Sequence, residues 1–161
     1  TRPALADPGP PPPPRALGAP FAVPARLRAG PLREAATRLG IRVLVYEAGQ
    51  VQRFDEDGIR AGVHGILRAF TVLGLGSWDV PAAAETTELR RTTWVRARRS
   101  GIATVTVDLG DRVEKGERIG EIGDTLGGRP AAITAPVGGW VIATTQNPLV
   151  GQGDAVVHLG S

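Results

Sequence analysis

The strongest constraint on how this chain folds is a quasi-repeat near its end. Gly101, Val113, Gly116, Ile119 and Ile122 are matched by Gly139, Val150, Gly153, Val156 and Leu159, with one deletion between the first two pairs. Each copy holds a glycine-containing turn followed by alternating apolar residues, the pattern of short strands with one face turned inward. A single copy of this size leaves its apolar face wet, whereas two copies can interlock as halves of a small sandwich barrel, each covering the other. An all-β barrel-sandwich domain is therefore expected over residues 78–161, starting near Trp78, where short β-prone runs separated by glycines take over.

Upstream the character differs. Pro8 to Pro14, a proline run broken by Gly9, has few backbone donors and reads as a linker or loop over residues 1–15. Phe21-Ala22-Val23 suits a short strand. Gly30 and Pro31 suit the cap and first residue of a helix that carries Leu32, Ala35, Ala36 and Leu39 at helical spacing, with Gly40 placed for a left-handed C-terminal residue. Ile41 to Tyr46 is nearly continuously apolar and rich in β-branched residues, which predicts a strand covered on both faces and ending at Glu47-Ala48-Gly49. A second helix is expected next, begun by Asp55 or Asp57, with Ile59, Val63, Ile66, Leu67, Phe70 and Leu73 on one face. Gly74 and Gly76 end it, and Gly62 and Gly65 within it predict close packing against another element. Residues 16–77 thus read as part of an α/β domain.

Charge and composition narrow the function classes. The basic residues are arginines, with Lys115 the sole lysine, and the formal net charge is +3. Their dense group, Arg90, Arg91, Arg96, Arg98 and Arg99, lies on or beside a predicted strand and reads as a solvated basic face, not a nucleic-acid footprint. With Cys 0, disulfides and thiolate metal sites are excluded. No apolar run approaches the ~20 residues that cross a bilayer, and a cytoplasmic location is expected. The start at Thr1-Arg2-Pro3 has no signal-peptide core behind it, and the chain reads as a piece of something longer.

Glu47 stands out chemically. A carboxylate directly after a buried strand is poorly solvated unless it lines a cleft, and in open α/β sheets the cleft lies at the carboxyl ends of the strands. A partly buried glutamate there is suited to moving protons near neutral pH. A helix- or turn-capping carboxylate is an equal reading of position alone.

Leu27 to Ala36, Gly40 to Gly49, Arg53-Phe54-Asp55-Glu56, Ile59-Arg60-Ala61-Gly62-Val63 and Gly65-Ile66-Leu67 follow one another in an informative order. That order and spacing resemble the late catalytic-domain segment of bacterial members of the succinylglutamate desuccinylase and aspartoacylase family. Gly101, Gly110 to Gly116, Ala135 to Gly139 and Gly151-Gln152-Gly153-Asp154 resemble the same family's C-terminal barrel-sandwich domain. The resemblance runs over roughly residues 16 to 160.

It implies a carboxypeptidase-like α/β hydrolase half, present in part, followed by an all-β barrel-sandwich hybrid domain. It also implies a zinc-dependent deacylase that hydrolyses the amide bond of N-acyl amino acids or similar small molecules. By that analogy Glu47 matches the glutamate that takes a proton from water and passes it to the leaving nitrogen. The family's zinc is held by a His-x-x-Glu pair and a later histidine, all upstream of the matched segment. This chain has two histidines, His64 and His158, and no His-x-x-Glu. Catalytic zinc usually takes three protein ligands, so zinc is expected in the parent protein and none on this chain alone. Arg53, close after Glu47, is a weak candidate for a two-pronged contact with an acyl carboxylate, ahead of Arg26 and Arg28. The partner expected is an N-acyl small molecule, with neither nucleic acid nor membrane, and self-association into a homo-oligomer fits the same reading.

Two other classes compete. Sandwich barrels include biotin and lipoyl carriers, which need a lysine on the hairpin between repeats. Gly123 to Arg129 contains none, and Lys115 lies in an earlier turn. A non-catalytic remnant or interaction module built on the barrel-sandwich domain is the main alternative, supported by the missing zinc ligands.

Overall fold

The structure, a computed structural model, describes residues 14–23, 32–41, 43–124, 126 and 128–161. The chain divides into two compact units, Thr1–Glu88 and Leu89–Ser161. The division falls downstream of Trp78, because the chain first returns to pair Thr87–Glu88 with Phe21–Ala22 in a parallel two-stranded ladder. These two short strands are β2 and β1.

The second unit follows the repeat. Its strands are β3 (Thr92–Arg96), β4 (Gly101–Val105), β5 (Arg112–Val113), β6 (Arg118–Gly123), β7 (Ala131–Thr134), β8 (Gly139–Thr144), β9 (Leu149–Val150) and β10 (Ala155–Gly160). They form two four-stranded sheets, ordered β3-β10-β8-β5 and β7-β6-β4-β9, with antiparallel neighbours throughout. Exchanging β4, β5, β6 and β7 with β8, β9, β10 and β3 respectively turns one sheet order into the other. Each copy therefore lends its short strand to the other's sheet: Val113 sits opposite Gly139, and Gly101 opposite Val150. The interlocked arrangement expected from the sequence is what forms.

The core has the same symmetry. Ile119, Ile122, Val113 and Ala103 from one copy meet Val156, Leu159, Val150 and Val141 from the other in a single buried cluster. Six large side chains there are fully buried, Ile119, Ile122, Leu159, Val141, Val156 and Val157. Each contributes about 1.5–3 kcal/mol relative to exposure. The glycine-containing turns are matched as well. The Gly116 amide donates to the Ala135 carbonyl at 2.8 Å and the Gly153 amide to the Ala97 carbonyl at 2.8 Å. Both glycines hold positive φ, 88° and 93°, which side chains adopt only with strain. Glycine recurs at 101 and 139 for a different reason, since a Cβ at either would run into the backbone oxygen of Gly123 or Gly160.

The first unit is built differently. A 3-10 turn at Pro14–Leu17 precedes β1, and two helices follow, α1 (Leu32–Arg38) and α2 (Glu56–Val72). Both helices close in the same way. After α1, Gly40 has φ 74° and the amides of Gly40 and Ile41 donate to the carbonyls of Thr37 and Ala36. After α2, Gly74 has φ 70° and the amides of Gly74 and Leu75 donate to Thr71 and Phe70. This double closure satisfies the last carbonyls of each helix.

The predicted glycine contacts in α2 are present. Gly65 lies against the Leu17 backbone, where a Cβ would come 2.7 Å from the carbonyl oxygen. The Arg68 guanidinium ties the same turn down, donating from Nε to Ala16 O at 3.2 Å and from Nη2 to Leu17 O at 2.6 Å. Its Nη1 donates to Pro81 O at 2.9 Å.

Two expectations are corrected here. The described residues of Ile41 to Tyr46 are in no strand and are exposed. No strand pairs with it among the described residues. β-prone residues make a ladder only when another backbone supplies donors and acceptors. Among the described residues the α/β half is accordingly seen as two helices and one two-residue ladder, and most of the regular structure is β. The apolar face of α2 is likewise uncovered: Ile59, Val63, Ile66, Phe70 and Leu73 are exposed. Among the described residues before Leu89, only Gly65 is buried. The proline run lies outside the described residues except for Pro14, as do Gly30 and Pro31.

Because the two copies share one core, Ile122→Ala and Leu159→Ala should each destabilise the second unit by about 2–5 kcal/mol. Leu126→Ala, at a side chain 95% exposed, should stay within about 0.5 kcal/mol. Denaturant unfolding of the chain measures all three. Separate transitions for the two copies would refute the shared core.

Candidate functional site

The residues around Glu47 are organised by the start of α2. Asp55 is its N-cap, with extended φ and ψ of −104° and 100° and its carboxylate accepting from the Gly58 amide at 2.8 Å. Glu56 and Asp57 in the first turn complement the positive end of the helix dipole. The chain reaches this cap through a tight loop. Gly49 and Gln52 hold positive φ of 84° and 60°, and Gln50 and Arg53 form an antiparallel bridge across it.

Tyr46 fastens the other end of the loop. Its hydroxyl donates to the Gly58 carbonyl at 2.9 Å, and its ring lies on Gly62, where a Cβ would come 2.8 Å from Cε1. Just beyond Glu47, the Ala48 methyl faces Gly58, where a Cβ would come 3.3 Å from it. The loop and the first turns of α2 enclose a shallow pocket of about 230 Å3, lined by Tyr46, Gln50, Arg53, Phe54 and Asp55 among others.

Glu47 itself is exposed, between Tyr46 and Ala48, and does not line that pocket. The partial burial expected from the sequence is not present in this chain, because the segment before it has no paired neighbours to wall it in. Arg53 does line the pocket, and it is exposed with no ion pair among the described residues. Arg26 and Arg28 lie outside the described residues. Sequence reasoning did not foresee the Tyr46 hydroxyl as an anchor. The signal for it was the i, i+4 pair Gly58 and Gly62, which clears one stripe of the helix for an aromatic ring.

The histidines have other surroundings. His64 is half-buried on α2. His158 on β10 stacks on Trp94 of β3, with ring centroids 4.1 Å apart and planes 8° apart, as directly opposed residues. Among the described residues no group of three or more histidine, aspartate or glutamate side chains is placed to hold a metal ion. The donors among the described residues therefore do not fit a catalytic zinc. Within the second unit, β3 and β7 border a hollow of about 290 Å3 lined by Trp94, Arg96 and Arg98. Two of the clustered arginines are engaged locally, Arg96 with the Gly153 carbonyl at 2.8 Å and Arg99 with Asp124 at 3.6 Å. Among the described residues no helix is long and apolar enough to cross a membrane.

The cap can be tested by substitution. Asp55→Ala should cost about 0.5–2 kcal/mol of helix stability, and Asp55→Ser should recover most of it. Helical circular dichroism through a denaturant titration of the chain reads both.

No protein-family model matches the chain, and no curated protein matches it in sequence. Solved structures do match. The ectoine utilization protein EutE (DoeB) from Ruegeria pomeroyi, in a product-bound structure, superposes with a TM-score of 0.81 at 22% identity, covering 91% of this chain and 46% of that one. A succinylglutamate desuccinylase/aspartoacylase from Rhodobacter sphaeroides superposes with a TM-score of 0.77 at 26% identity, covering 91% of this chain and 47% of that one. A succinylglutamate desuccinylase from a Silicibacter species gives 0.79 at 17% identity, covering 90% and 46%. This chain thus spans about half the length of the structures it matches. Over nine-tenths of its length the chain is thus similar in fold to about half of structures described as succinylglutamate desuccinylase/aspartoacylase proteins, the same proteins its sequence resembles.

Proposed function

We infer that this chain is the C-terminal part of a deacylase that hydrolyses the amide bond of small N-acyl amino acids or related molecules. One observation carries the reading. The chain superposes over nine-tenths of its length, with a TM-score of 0.77 and 26% identity, on a succinylglutamate desuccinylase/aspartoacylase; the family's glutamate is carried to Glu47 by the sequence resemblance. In the proposed reaction Glu47 accepts a proton from the attacking water and returns it to the leaving nitrogen, so that the amide C–N bond breaks as the C–O bond forms. Exposure of Glu47 here accords with a role at a surface completed by other residues. On this reading zinc belongs to the parent protein and its ligands lie outside this chain. Segments supplied by the parent protein also cover Ile41 to Tyr46 and the apolar face of α2. Arg53, in the pocket beside Glu47, is proposed to hold an acyl carboxylate.

The test uses the protein expressed from the whole gene. Glu47→Gln should lower kcat for N-acyl amino acid hydrolysis about 10²- to 10⁴-fold while elemental analysis finds the zinc content of wild type. Arg53→Gln should raise KM for dicarboxylic acyl substrates about ten-fold, the loss of one charge-assisted contact, and leave monocarboxylic ones unchanged. Absence of both zinc and turnover in the wild-type protein would instead make the chain a non-catalytic interaction module on the same fold.

A further inference from the structure

The loop that carries Glu47 lies against the start of α2 and its cap, and each point of approach involves a glycine. The Tyr46 ring lies on Gly62, the Ala48 methyl on Gly58, and Gly49 against the Asp55 Cβ, where a Cβ on the glycine would come 3.5 Å away. Gly58 also joins two polar contacts. Its amide donates to Asp55 and its carbonyl accepts from the Tyr46 hydroxyl at 2.9 Å. Glu47 is therefore bracketed: the residue before it and the residue after it are both seated on the first two turns of one helix. The Glu47 side chain keeps its freedom to reach outward, while its backbone is set by the helix.

An ordinary packing role would not demand this arrangement. Tyr46 remains 38% exposed, so its ring is only partly taken up in packing. Glycine at 58 and 62 lowers helix propensity in a helix that has a long uncovered face. What the two glycines gain is a fixed distance between the helix backbone and the Glu47 backbone.

We propose that Tyr46 is a positioning residue for Glu47, and that Gly58 and Gly62 are kept free of side chains to let it lock the loop onto α2. This rests on the deacylase reading of Glu47. A reacting group displaced by about an ångström loses rate steeply, by as much as about 10²-fold, so a clamp on the preceding residue acts on kcat and leaves substrate affinity alone.

The experiment compares Tyr46→Phe, Gly62→Ala and Glu47→Gln in the protein expressed from the whole gene, with kcat, KM and hydrogen exchange of the amides at 48–54. Tyr46→Phe keeps the ring and removes the hydrogen bond. Gly62→Ala keeps the hydroxyl and displaces the ring, while alanine is the better helix former. Both should speed exchange of the loop amides and lower kcat about 10- to 100-fold, with KM within about two-fold. Faster exchange with unchanged kcat overturns the proposal, because the clamp is then only structural; unchanged exchange overturns it because there is no clamp. No turnover by wild type overturns the deacylase reading, whereas full turnover by Glu47→Gln overturns the shuttle role of Glu47 and with it the positioning role of Tyr46.

Discussion

The exchange of short strands between the two repeat copies is the constraint on which the second unit rests. β5 completes the sheet of β8, and β9 completes the sheet of β4, so neither copy's sheet reaches four strands without the other. The same exchange places Ile119 and Ile122 against Val156 and Leu159 in one cluster. Close approach of paired strands within each copy is why glycine stands at 101 and 139: at each, a neighbouring carbonyl occupies the space of a side chain. Burial, hydrogen bonding and turn chemistry all point to one arrangement, which is the consistency expected of a sequence that specifies its fold.

The first unit has no such internal closure. Its described residues bury only Gly65, and what organises them is local and polar. Asp55 caps α2, glycines close both helices, and the Arg68 guanidinium holds the 14–17 turn through two carbonyls. Contacts of this kind define backbone paths well but supply little of the apolar burial that stabilises a domain. Glu47 lies in this part of the chain. Its backbone is set against α2, and the walls that would make a cleft around it are not among the described residues.

That difference explains how the functional reading is divided. The loop, the pocket beside Arg53 and the tie from Tyr46 to Gly58 all come from segments adjacent in sequence, so they form within this unit. A metal site needs donors gathered from distant segments, and the two histidines here are committed elsewhere, His158 to a stack with Trp94 and His64 to a half-buried place on α2.

Much of this was legible in the sequence. The repeat spacing named the interlocked copies, because a single copy of that size leaves its apolar face wet unless a second covers it. Gly40, Gly74 and Asp55 marked helix ends, since left-handed backbone and an orphan amide each demand a particular residue type. Gly62 and Gly65 announced close neighbours. Ile41 to Tyr46 misled, because β-propensity records what a segment does when a partner strand is present, and pairing is decided by the rest of the fold. The exposure of Glu47 and the seat of Tyr46 on Gly62 were likewise decided only in three dimensions. The sequence by itself determined which backbone conformations and apolar alternations were available; the tertiary structure decided which surfaces met, because burial and strand pairing depend on residues that spacing alone does not bring together.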